Sequence, residues 1–208
     1  VRSIPEFLLV ALLVTLTPGP GTATIIRVAA RDGRRAAFGA VLGNSAGVLL
    51  WAGLSAVGVS SLILASEVAY TALKVGGAAV LIVLGLRSLL HRSPTPEATP
   101  DAIPDAAPSR SGRGGWRSGM MTSFSNPKLA VFFVALFPQF LSPHAAVLPA
   151  ALAMAAVIVA LDVAWFSGLI LLVDRTRGLL KPRLQRLMER VTGSVMVGLG
   201  VRLVIEPR

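Results

Sequence analysis

The sequence predicts an all-α, polytopic membrane protein with six transmembrane helices arranged as two inverted three-helix repeats. Three observations lead there. Of 208 residues, 54% are hydrophobic and 14% charged, with a mean hydropathy of +0.73, whereas an average soluble domain is roughly 25% charged. Six apolar stretches suit the about 20 residues a helix needs to cross a ~30 Å hydrocarbon core. Finally, Lys and Arg gather in alternate loops, the signature of loops that stay in the cytoplasm.

The first stretch, 4–28, follows Arg2 and continues past Gly21 with no Ala-x-Ala cleavage pattern, so it reads as a retained helix rather than a leader. The second and third are 38–64 and 69–90. A segment at 91–115 then carries Pro94, Pro96, Pro100, Pro104 and Pro108 among Ser, Ala and Gly. That composition buries too little apolar surface to offset chain entropy, and a disordered cytoplasmic linker is expected. The remaining stretches are 119–141, 146–173 and 187–205. The unbroken apolar run 151–161 excludes the alternation of a barrel strand. The chain thus divides into a first repeat, 1–90, the linker, 91–115, and a second repeat, 116–208. With three spans in each repeat, the second must enter the membrane from the opposite side, a recurring plan among secondary transporters.

Orientation follows from the loops. Arg27, Arg31, Arg34 and Arg35 follow the first stretch. Arg87, Arg92, Arg110, Arg113 and Arg117 lie in the linker and its flanks, and Arg175, Arg177, Lys181, Arg183, Arg186 and Arg190 follow the fifth. These are fifteen of the twenty basic residues, while 60–67 and 142–147 carry none. Both termini are therefore expected outside. The net charge of +10 sits in these short loops between apolar runs, so nucleic acid is not the expected partner. With no cysteine and two distant histidines, His91 and His144, thiolate chemistry and a multi-histidine metal site are excluded. No Gly-x4-Gly-Lys-Ser/Thr loop and no His-Glu-x-x-His motif occurs. Neither ATP drive within this chain nor a metalloenzyme is indicated, and no cofactor is expected.

The sharpest local signal is Thr17-Pro18-Gly19-Pro20-Gly21, deep in the first stretch. Two prolines remove backbone donors, and the glycines permit a departure from helical geometry. The fourth stretch carries Ser125-Asn126-Pro127-Lys128 at the corresponding place. Paired interruptions in corresponding helices of two halves point to a transport site; the other reading is a pair of packing kinks, which membrane helices tolerate.

In these residues the sequence resembles the lysine exporter and threonine/homoserine exporter family, LysE/RhtB. The likeness includes Thr-Pro-Gly-Pro at 17–20, Gly33-Arg34-Arg35-Ala36 leading into glycine-rich 39–47, and Lys74-Val-Gly-Gly-Ala78 with Gly85. In the second half it includes Asn126-Pro127-Lys128, Phe132-Phe133 and Pro138-Gln139-Phe140. Where the family often has Asn after Thr-Pro-Gly-Pro, this chain has Gly21, and a common Tyr is Val80. The resemblance implies an exporter of amino acids or related small metabolites in the inner (cytoplasmic) membrane, driven by protons, and not an enzyme. A channel and a membrane-embedded enzyme are the alternative classes.

The residues suggest how such a site would work. Pro18 and Pro20 suit the first turn of a half-helix starting near Gly21, whose N-terminus would attract a substrate carboxylate. Thr17, Thr22 and Thr24 offer hydroxyls, and carbonyls freed at 14–16 could accept from an ammonium group. Asp162, the only acidic residue deep in any stretch, must be paired, wetted or protonated there. It reads as proton carrier or ammonium counter-ion, or as a structural ion-pair partner of Lys128. Lys128 could meet a substrate carboxylate or reach toward the interface. Asn126 could bind substrate or cap the helix that begins at Pro127, and Asn44 could face the cavity or bridge helices. Gly39, Gly43 and Gly47 form a small-residue ridge suited to helix packing within the chain, or to a homodimer seam.

Overall fold

The computed structural model describes residues 4–65, 67–90, 111–141, 146–176 and 182–205, and every regular element among them is helical. The proline-rich stretch 91–110 lies outside the described residues. The last part of the segment read as linker is ordered: α5 already begins at Gly112, capped by Ser111, whose Oγ accepts from Gly114 N at 3.1 Å.

The first apolar stretch is two helices, α1 (Ile4–Leu16) and α2 (Pro20–Asp32), bent by 46°. The prolines explain where α1 stops. Helical pairing of the Val14 and Leu16 carbonyls would need N–H groups on residues 18 and 20, and both are proline. Gly19 is extended (φ −155°, ψ −168°) and hands the chain to α2, whose first residue, Pro20, needs no N–H. At the far end of α2, Gly33 takes φ +86°, a positive-φ conformation that glycine adopts without steric cost. It turns the chain into α3 (Arg34–Ala65), which is followed by α4 (Glu67–Leu90).

The fourth stretch is broken in the same manner. α5 (Gly112–Phe124) and the continuation from Pro127 to Phe140 meet at 51°. That continuation opens with α6 (Pro127–Val131), widens to a π turn at Phe132–Leu136, and tightens to a 3₁₀ turn at Phe137–Phe140. The sequence reading anticipated the break but not this irregular second half. α7 (Val147–Thr176) and α8 (Pro182–Ile205) complete the fold. Within α3 and α7, Arg34–Gly58 and Val147–Arg175 are each long and apolar enough to cross a membrane, and counting each bent pair as one span gives up to four.

Two apolar cores lie on opposite sides of the breaks. The larger gathers Phe7, Val10, Phe132, Phe133, Phe137 and Phe140 with Met154, Ile158 and Leu199. Its phenylalanines meet mostly edge to face, with centroids 4.9–6.4 Å apart, the geometry their ring quadrupoles favour. The smaller joins Ile25, Val28, Ala36, Ala40 and Val41 to Phe166, Leu169 and Ile170.

Beside this smaller core, α3 and α5 pack backbone to backbone. A Cβ added to Gly43 would lie 2.0 Å from the Trp116 carbonyl, and one on Gly115 or Gly119 would lie 1.9 Å from the carbonyl of Ala36 or Ala40. The ridge of Gly39, Gly43 and Gly47 is thus used within the chain, one of the two readings its spacing allows. α4 and α8 use the same device, with Gly85 and Gly193 each facing the other's carbonyl at 2.7 Å from an added Cβ.

Candidate functional site

The two breaks meet in the middle of the bundle, and α3 and α7 close the site around them. Prolines create the chemistry by taking donors away. Val14 O is 2.9 Å from the Lys128 ammonium, which also donates to Thr17 O at 2.8 Å. A side chain from the second half thereby replaces the amide hydrogen that Pro18 lacks. The reciprocal repair occurs at the other break. Pro127 deprives the Ser123 carbonyl of its helical donor; the Asn126 N–H and the Trp51 indole of α3 each donate to it at 3.3 Å. Trp51 is held in place by stacking on Phe124, 5.5 Å between centroids at 24°.

Asn126 caps the broken fourth stretch, its Oδ1 accepting from Lys128 N at 3.0 Å. Of the two roles open to it, this geometry displays the cap. Pro127 supplies the first helical residue and sets Lys128 one residue further on, its ammonium directed across to α1. Gly19 matters for its size as well as its freedom, because a Cβ there would stand 3.6 Å from Lys128 Nζ.

Asp162, on α7, is 6% exposed and has both carboxylate oxygens engaged. Thr15 Oγ1 donates to Oδ1 at 2.8 Å, and Asn44 Nδ2 donates to Oδ2 at 3.3 Å. Asn44 also fills the space beside Gly21, where a Cβ would lie 3.1 Å from its Oδ1. Lys128 is likewise buried, 9% exposed. The two make no contact ion pair: the ammonium is held by two carbonyls and the carboxylate by two neutral donors. The direct Lys128–Asp162 pairing open at the sequence level is therefore replaced by two separate, hydrogen-bonded charges.

The sequence-derived candidates converge unevenly. Thr17, Pro18, Gly19, Pro20 and Gly21 lie at the first break and Asn126, Pro127 and Lys128 at the second, with Asn44 and Asp162 against them. The Thr17 hydroxyl donates to the Leu13 carbonyl one turn back, which leaves its oxygen as an acceptor. Thr22 is buried on the first turn of α2. Thr24 lies further along α2, paired with Thr122 of α5 at 3.2 Å and with Arg27. Of the carbonyls at 14–16 expected to be freed, Val14 O accepts from Lys128. Thr15 and Trp51 were not picked out as polar site partners by the sequence. Among the described residues no group of three His, Cys, Asp or Glu is placed to hold a metal ion.

Alongside Lys128 is a narrow crevice with room for about one water molecule, partly open to its surroundings. Its wall is Val14 and Thr17 from the first break, Lys128, Phe132 and Leu136 from the second, Leu81 of α4, and Val195, Met196 and Leu199 of α8. Asp162 is not part of that wall.

A family model described as "LysE type translocator" matches residues 12–207, from the second half of α1 through α8. The chain belongs to the LysE family. Its members are translocators, so this chain is a membrane transport protein and not an enzyme. It is 28% identical to the threonine efflux protein of Escherichia coli over 95% of both chains. It is 27% identical to the homoserine/homoserine lactone efflux protein of Salmonella typhimurium, over 95% of this chain and 93% of that one. An uncharacterised membrane protein of Pseudomonas aeruginosa is 32% identical, over 95% and 92% respectively. No solved structure matches.

Proposed function

We propose that this LysE-family protein is a secondary active exporter of amino acids or closely related metabolites, exchanging them for protons across the cytoplasmic membrane. The observation that carries the reading is the pair of buried, separated charges, Lys128 and Asp162, held where two proline-broken helices meet. The names of the efflux relatives supply the substrate class. An amino acid presents a carboxylate and an ammonium, and Lys128 and Asp162 are complementary to those groups.

The proposed frame is six spans in two inverted repeats, 1–90 and 116–208, with both termini outside. Its support is the packing pattern. Exchanging the repeats turns the contact of α3 with α5 into that of α7 with α1 and α2, and it returns α3·α7 and α4·α8 to themselves. The first pairing is much the tighter, so the likeness between the halves is in topology rather than detail. Exchange also relates the two breaks to each other, so in this frame a site between them lies on the pseudo-axis.

Asp162 is the proposed proton carrier. As a carboxylate it accepts from both Thr15 and Asn44. Once protonated, one of its oxygens becomes a donor, and a hydroxyl can reverse its role where an amide N–H cannot. Thr15, two residues before the break in α1, is then the group that senses the proton and passes the change to Val14, Thr17 and Lys128. One charge moved across ~150 mV is worth about 3.4 kcal/mol, enough for roughly a 300-fold gradient of a zwitterion per proton.

Cells lacking their own amino-acid exporters and fed a dipeptide panel provide the test. Expressing the wild-type chain should lower the internal pool of the exported amino acid and raise it in the medium, and Asp162→Asn should not. Equal export by both would remove Asp162 from the mechanism. No export by either, with the protein present in the membrane, would remove the amino-acid assignment.

A further inference from the structure

We propose that substrate reaches the site from the cytoplasmic side along the seam between α2 and α5, and that the Arg27 guanidinium at its mouth is the first group to bind the substrate carboxylate. The inference rests on the exporter reading and its six-span frame, and it adds the entry route. Two other approaches to Lys128 are closed. On the outer side of the breaks, in that frame, stand Phe7, Phe132, Phe133, Phe137 and Phe140 of the larger core. The crevice against α4 and α8 has room for about one water molecule.

Polar side chains gather instead between α2 and α5. Thr24 of α2 meets Thr122 of α5 across the seam at 3.2 Å. Each threonine stands one turn from a break, four residues from Pro20 and from Asn126 respectively. Arg27 is exposed on α2, about 10 Å from Pro20 along the axis at 1.5 Å per residue. Its guanidinium turns back toward the break and donates to Thr24 Oγ1 at 3.3 Å; a side chain serving only to anchor the helix would reach for the nearer membrane surface. Among the described residues no carboxylate is in ion-pair contact with it.

A charge held at this depth faces water or a transport path rather than lipid. The guanidinium carries five N–H donors in a planar fork, of which one is spent on Thr24. The others match a carboxylate two bonds at a time. Past the threonine pair the next cation is Lys128, whose ammonium spends two of its three N–H bonds on Val14 O and Thr17 O. A substrate carboxylate thus passes from a guanidinium to an ammonium, and the threonine pair is the contact that parts to admit it. The amide of an amino acid brings no negative charge and gains nothing from Arg27.

The test uses the full chain in membrane vesicles of both orientations. KM is measured for labelled leucine, threonine, homoserine and lysine, with the amide of each as competitor. In inside-out vesicles, whose medium meets the cytoplasmic face, Arg27→Gln should raise the KM of each transported amino acid at least tenfold with little change in maximal rate. Inhibition by the amide should not change, and in right-side-out vesicles the KM should stay as in the wild type. Arg27→Lys keeps the charge without the fork and should recover part of the affinity. An unchanged KM, or a rise equal on both faces or shared by the amide, would overturn the role of Arg27. The seam is tested separately. The chain has no cysteine, and the two hydroxyls lie close enough for Thr24→Cys with Thr122→Cys to be joined by oxidation or by a short reducible cross-linker. The joined protein should lose at least nine-tenths of its uptake into inside-out vesicles and regain it on reduction. Uptake undiminished by the cross-link would overturn the route. Either failure leaves the exporter reading in place, because the wild type still transports. If correctly folded wild type transports no amino acid of the panel, this inference and the exporter reading fall together.

Discussion

Lys128 shows how much one side chain can settle. It satisfies two carbonyls at a break that its own helix does not contain. Lys128→Met keeps the length of the stem and removes the donors, leaving both carbonyls orphaned in a dry environment. A loss of about 1–3 kcal/mol per buried unpaired group is the general scale. The expected readout is a lower unfolding temperature in detergent together with loss of substrate exchange. Trp51→Phe is a milder case: it preserves the ring against Phe124 and removes the N–H from Ser123 O. It should cost about 1 kcal/mol, read in the same thermal assay, with exchange retained. At this scale the sequence was a partial guide. Pro18 and Pro127 announce freed carbonyls because their missing N–H is a covalent fact. What fills the gap was hidden, since Lys128 and Val14 are 114 residues apart. Thr15 was missed for a related reason. A hydroxyl inside an apolar helix ordinarily bonds its own preceding turn, as Thr17 does, and nothing local distinguishes the one that reaches Asp162.

The elements are held by small residues at some contacts and by conformation at others. Where α3 meets α5, Gly115→Ala would push a methyl into the Ala36 carbonyl. Two rigid backbones would have to separate, and folded yield should fall sharply in gel filtration. Gly168→Ala is the matched control, because nothing lies within 4 Å of its added Cβ; Ala in place of a helical Gly should instead gain up to about 1 kcal/mol. Gly33→Ala separates conformation from space. No atom lies within 4 Å of a Cβ there, yet φ is +86° with ψ 176°, an extended positive-φ conformation essentially confined to glycine, and a side chain held there costs about 1–3 kcal/mol. The helices themselves were legible from hydropathy, and the α3 ridge from its four-residue spacing. Less was visible in the second half of the fourth stretch. Its π and 3₁₀ turns at Phe132–Phe140 depend on how the phenylalanines pack and on Ser55, which donates to the Phe133 carbonyl. Neither leaves a local pattern. The start of α5 at Gly112 was likewise obscured by glycines that read as linker and serve as packing surface.

The whole molecule joins a bundle of broken and long helices to a tightly packed pair, α4 and α8. The proposed orientation is open to direct measurement because the chain has no cysteine. A membrane-impermeant maleimide added to intact cells should label Ala146→Cys and leave Arg34→Cys unlabelled until the cells are opened. The central claim is that the charge on Asp162 couples substrate to protons. It is tested most directly by imposing a pH gradient on liposomes containing the purified protein and measuring substrate accumulation in wild type and Asp162→Asn. The account predicts that the wild type concentrates substrate against its gradient when pH drives it. The variant should still exchange labelled for unlabelled substrate but accumulate none. Equal pH-driven accumulation by both would contradict it.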